Sequence, residues 1–278
     1  MAAKKTKKQE AEMSFLDHLE ELRWHLIRST LAVVIVAVAA FIFIDEIFKY
    51  IILVFKQTDF ISYEKLCQIS KIFGSEKGCM SELPFTFLNS EMAGQFSIAI
   101  WTSITVGFII AFPYVLFEFW KFISPGLYEK ERKNSRGFII VSSLLFFIGV
   151  LFGYFVITPL SINFLATFTI ADEIENNIKI SSYIAIIRSS IIASGFIFEL
   201  PIIIYFLTKI GLVTPEFLKR NRKYALVLVL ILAAVITPPD ISTQVIVAVP
   251  ILLLYQVSIF ISRIVVKREE KRLKREQA

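Results

Sequence analysis

An all-helical integral membrane protein with six crossings is the fold class this sequence predicts. Of 278 residues, 56% are hydrophobic and 19% are charged, and the mean hydropathy is +0.67. That balance is too apolar for the surface of a soluble domain, and it also excludes disorder and collagen-like or coiled-coil fibres. The apolar runs are continuous: residues 92–117 and 137–171 contain no Asp, Glu, Lys or Arg. Strands of a membrane barrel would instead alternate over about ten positions, so helices are expected, each needing roughly 20 residues to cross.

The elements follow in order. Ser14 at an N-cap, with Asp17 three residues on, opens an amphipathic helix over 14–25 whose stripe is Phe15, Leu19, Leu22 and Leu26, with Glu21 beside it. Lys4, Lys5, Lys7 and Lys8 before an apolar run imitate a secretory signal, yet the Ala37-Val38-Ala39 motif lies inside that run, so an uncleaved first span over 27–48 is expected. Further spans are placed at 92–117, 138–158, 184–208, 224–236 and 244–262. Thr158-Pro159 marks a break, after which 161–170 is expected to lie along the membrane face, followed by the acidic loop of Asp172, Glu173 and Glu175. The fifth span is short, stopped by Thr237-Pro238-Pro239-Asp240, and the sixth is expected to be short too, ending near Ser262 before a basic tail, 263–278. Short spans are met by bilayer thinning, by neighbouring protein or by shielding inside the bundle, and the sequence does not choose.

Lys and Arg resist translocation and so fix direction. They crowd the segments before span 1, between spans 2 and 3, between spans 4 and 5, and after span 6. The other side holds five spread through the long 49–90 segment, one at Lys179 and none over 237–243. Both termini are therefore expected in the cytoplasm, in a cell inner or plasma membrane. This asymmetry accounts for the basic pI without nucleic acid.

Chemistry is sparse. No Gly-rich phosphate loop, nucleophile elbow or zinc-ligand spacing is present, so neither catalysis nor a cofactor or metal is expected. Cys67 and Cys79, the two cysteines, fall together in the outer segment, where they are either bridged or free. Glu199, in Phe198-Glu199-Leu200-Pro201, is a carboxyl near the middle of span 4, where a charge costs about 2.5–3.5 kcal/mol. Arg188, eleven residues earlier, is too far along the axis to pair with it and is expected to snorkel outward. Glu199 is then a functional group or an interhelix hydrogen bond.

Four ordered motifs carry a resemblance. His18-Leu19-Glu20-Glu21-Leu22-Arg23, the stretch from Phe122-Ile123-Ser124-Pro125 to Glu131-Arg132, Phe198-Glu199-Leu200-Pro201, and Thr237-Pro238-Pro239-Asp240 with Gln244 together resemble the TatC family of twin-arginine protein translocase subunits, over residues 14 to about 263. The resemblance implies a receptor for signal peptides with paired arginines, borne by folded cargo and exported with the proton-motive force. It implies a signal-peptide site of Glu21, Leu22, Arg23, Phe122, Pro125 and Glu131. It also implies intramembrane or partner contacts at Glu199, Asp240 and Gln244, with TatA- and TatB-type single-span proteins as partners and self-association in the active complex. Two parallel charge-assisted hydrogen bonds from a guanidinium suit a carboxylate. The rival reading is a proton-coupled small-solute carrier with Glu199 as proton acceptor.

Overall fold

Inside hydrocarbon only a helical ladder satisfies the backbone of a single segment, so long uncharged runs become long helices. The computed structural model describes residues 15–57, 60–72, 85–123, 135–171, 177–237 and 240–276. The helices are α1 (Phe15–Ile42), α2 (Ile44–Ile47), α3 (Ile61–Ile72), α4 (Gly94–Ile123), α5 (Ser135–Phe152), α6 (Thr158–Thr167), α7 (Ile180–Phe198), α8 (Leu200–Lys209), α9 (Pro215–Arg220), α10 (Arg222–Ile236) and α11 (Ile241–Glu276). Among the described residues five runs are long and apolar enough to cross a membrane: Glu20–Ile42, Gly94–Ile123, Gly137–Thr167, Ile180–Lys209 and Thr243–Lys271. The 15-residue α10, about 22 Å long, is the sixth and short crossing.

Three boundaries differ from the sequence expectation. The amphipathic segment is not a separate helix: α1 runs unbroken from Phe15, because no Gly or Pro interrupts it. Nor does the chain break at Thr158-Pro159. A π-helical turn, Gly153–Ile157, leads directly into α6, with Pro159 in its first turn. A π turn already displaces the regular ladder, so the missing proline N–H costs little there. The last helix passes Ser262 and continues through the basic tail to Glu276, since Lys, Arg and Glu are good helix formers. The sixth crossing is therefore not short as a helix.

The α1 and α4 helices pack along each other over most of their length. Gly107 makes this possible: a Cβ there would stand 2.8 Å from Ala37 Cβ, from the Ala37 nitrogen and from the Val33 carbonyl oxygen. Gly107→Ala is expected to cost about 1–3 kcal/mol, read as a lower unfolding midpoint of the detergent-solubilised protein.

The segment after span 1 is not a loose loop. A π turn (Phe48–Ile52) and a 3₁₀ turn (Leu53–Lys56) lead to α3, and Phe55, Phe60, Tyr63 and Phe85 bury against Tyr183 and Ile187 of α7. Tyrosine hydroxyls fix it: Tyr63 donates to the Phe55 carbonyl (3.0 Å), Tyr154 to Ile51 (2.9 Å) and Tyr183 to Ile52 (2.8 Å). Two three-residue strands, β1 (Thr86–Leu88) and β2 (Asn177–Lys179), pair in parallel with Thr86 opposite Asn177. Elsewhere in the bundle, α10 and α11 share a core of Val229, Ala233, Val247 and Ile251. The outer face of α10 stays open, with Leu228, Ile231 and Val235 exposed. Shielding inside the bundle is thereby excluded for this short crossing within the single chain.

Candidate functional site

Helix α1 enters the bundle as α4 leaves it, so the first turns of α1 lie beside the last turns of α4. Glu118 of α4 is the polar centre of that end, only 2% exposed. Its Oε2 lies 2.6 Å from His25 Nδ1 of α1 and 4.0 Å from Arg28, while Oε1 lies 3.5 Å from Lys121 Nζ. The His25 ring meets Phe122 edge-on at 6.4 Å between centroids. Trp120 is buried on the other flank, stacked on Phe138 at 4.4 Å.

Helical spacing then places the expected site residues. Glu21 stands one turn before His25, and Phe122 one turn after Glu118. Because the helices are antiparallel, both steps go toward the same end, each about 6 Å beyond the His25–Glu118 link. Glu21 and Arg23 are exposed and Leu22 and Phe122 half-buried. Pro125 and Glu131 lie outside the described residues. Sequence reasoning missed Glu118 and His25. The available signal was that Glu118 is the first carboxylate after the uncharged run and one turn from Phe122. Glu118→Ala is expected to cost on the order of 1–3 kcal/mol, measured as thermal midpoint, whereas Glu118→Gln keeps an acceptor for His25 and loses less.

A second polar site lies within the bundle. Glu199 sits at the junction of α7 and α8, where Pro201 has no N–H for the Ile197 carbonyl. Glu199 is 7% exposed; Ser142 of α5 donates to its Oε2 at 2.5 Å, and Oε1 is buried with no partner among the described residues. Arg188 is far from it, its guanidinium over the Trp101 ring at 5.5 Å.

Asp240 and Gln244, expected at a partner contact, have partners within the chain. Asp240 Oδ2 accepts from the Thr243 N–H (2.8 Å), capping α11, and Gln244 Nε2 donates to the Leu230 carbonyl of α10 (3.0 Å). Cys67, on α3, is disulfide-bonded; Cys79 lies outside the described residues.

Residues 17–250 match the family model described as Sec-independent protein translocase protein (TatC). The chain is 44% identical to the Sec-independent protein translocase protein TatC of Blattabacterium sp. subsp. Periplaneta americana, covering 95% of this chain and 100% of that one. It is 35% identical to the same-named protein of Aquifex aeolicus, covering 93% and 98%. A crystal structure of the twin arginine translocase receptor TatC superposes with a TM-score of 0.64 at 34% identity, over 90% of this chain and 99% of that one. Motif order, multi-pass helical architecture and these matches agree: this chain belongs to the TatC family of Sec-independent protein translocase proteins.

Proposed function

We propose that the chain is the receptor subunit of a twin-arginine translocase, with both termini in the cytoplasm. Glu21 and Glu131 hold the paired guanidinium groups, Leu22, Arg23, Phe122 and Pro125 shape the site around them, and the apolar part of the signal peptide enters the bundle. The observation that carries this reading is the His25–Glu118 link, which brings Glu21 to the same end of the bundle as Phe122. TatA- and TatB-type single-span helices are the partners, and the open apolar face of the short α10 supports a contact there. Glu199 meets a polar group of such a helix inside the membrane, and transport draws on the proton-motive force. Family membership disfavours the small-solute carrier.

The test is discrimination by the purified protein between a diarginine signal peptide and its dilysine counterpart. At least about tenfold preference for arginine is expected, because a lysine presents a point charge and not a planar fork. Equal binding of the two peptides would overturn the receptor reading.

A further inference from the structure

At the end of the bundle opposite Glu118, a cavity of about 380 Å³ opens between the end of span 1, α4, the π turn after α5, and α7. Its walls are almost wholly apolar, with Ile51, Val106 and Ile187 among them. Of the lining residues only Arg188 carries a charge. Arg188 has no carboxylate within 4.0 Å among the described residues and rests on the Trp101 ring. Thr102 also lines it, but its hydroxyl is buried away from the open space and has no hydrogen-bond partner among the described residues. Ile110, Leu151 and Phe155, which also line the cavity, are exposed on the membrane-facing surface, so the groove opens sideways to lipid.

Depth matters. Arg188 is eight residues into α7, about 12 Å from the helix start. Its guanidinium lies over the Trp101 ring, seven residues into α4, so the charge sits in the half of the bundle nearer the start of both helices. An occupant must therefore be apolar over most of its length and anionic at one end, at that level.

We propose that this groove seats one anionic phospholipid, with an acyl chain along the apolar wall and its phosphate on Arg188 at the rim. A guanidinium with no carboxylate beside it among the described residues can pair with a phosphate oxygen, and that charge-assisted pairing supplies the selectivity.

Native mass spectrometry tests this on the full chain released from nanodiscs of equal phosphatidylglycerol and phosphatidylcholine. One retained phosphatidylglycerol per chain is expected, with at least about tenfold preference over phosphatidylcholine. Arg188→Gln should remove the preference and Arg188→Lys should keep part of it. Val106→Trp, which fills the groove and leaves Arg188 intact, should lose the lipid while the protein stays folded. Equal retention of the two lipids by the unaltered chain would overturn the proposal. So would a preference that survives both Arg188→Gln and Val106→Trp, which would place the lipid elsewhere. Displacement by glycerol 1-phosphate at equal concentration would show a free-anion site, and an Arg188-dependent crosslink to a carboxylate on a partner helix without lipid preference would show a protein contact; either result refutes the lipid.

Discussion

Diarginine signal-peptide binding is expected to fall by about 100-fold or more when Glu21→Ala and Glu131→Ala are combined, while weak binding of the dilysine peptide changes little. Each charge-assisted pair is worth about 1.5–3 kcal/mol, and each 1.4 kcal/mol is tenfold. Glu21 is exposed, so salt screens its share and the single Glu21→Ala variant should show the smaller loss. The effect should shrink as ionic strength rises. Titration of labelled peptide against purified protein at two salt concentrations reads all of this. Equal losses for both peptides would mean that the carboxylates support the fold and do not read the ligand.

The two carboxylates are not independent of the bundle. Glu21 is carried on a helix whose adjacent turn is tied to α4 through His25 and Glu118. Loosening that tie lets α1 swing, and a two-point grip on paired guanidinium groups depends on fixed separation. Glu118→Ala should thus weaken peptide binding without touching the peptide, and Glu118→Gln should restore most of it. The ordering Glu131→Ala worse than Glu118→Ala, and Glu118→Ala worse than Glu118→Gln, follows from contact against positioning.

How legible all this is in the sequence depends on the range of each interaction. Crossings are legible because an uncharged run of 26 residues, 92–117, can only be a helix in lipid. Glu199 is legible because one carboxyl interrupts such a run. Glu118 is not: at the end of a run a carboxylate reads as solvated, and its partner His25 is 93 residues away. Ser142, which holds Glu199, is 57 residues distant and is one of many serines in apolar helices. The strand pairing of Thr86 with Asn177 spans 91 residues and involves three-residue strands, too short for any periodicity. Pro159 misleads for the opposite reason. Proline is a strong local stop signal, but here the preceding π turn, packed on α7, absorbs it.

Glu199→Ala is expected to leave the thermal midpoint unchanged or higher and to lower export by at least about tenfold. A carboxyl used as structural glue would show the reverse, since removing it would leave its donors unpaired. Only Ser142 donates to Glu199 among the described side chains, and Oε1 stands buried without a partner, so the chain alone gains little from a group that is costly to hold in hydrocarbon. In the proposed role a polar group of a partner helix completes that oxygen, and the gain exists only in the assembled translocase. Signal-peptide binding by Glu199→Ala should persist, because the site at Glu21 and Phe122 lies at the end of α4 and not at the junction of α7 and α8. Glu199→Gln, which keeps the hydrogen bond from Ser142 and adds a donor, separates shape from charge: recovery of export would assign the partner contact to hydrogen bonding, and persistent loss would assign it to the carboxyl itself. A lowered midpoint with normal export in Glu199→Ala would make the residue a structural element of the bundle.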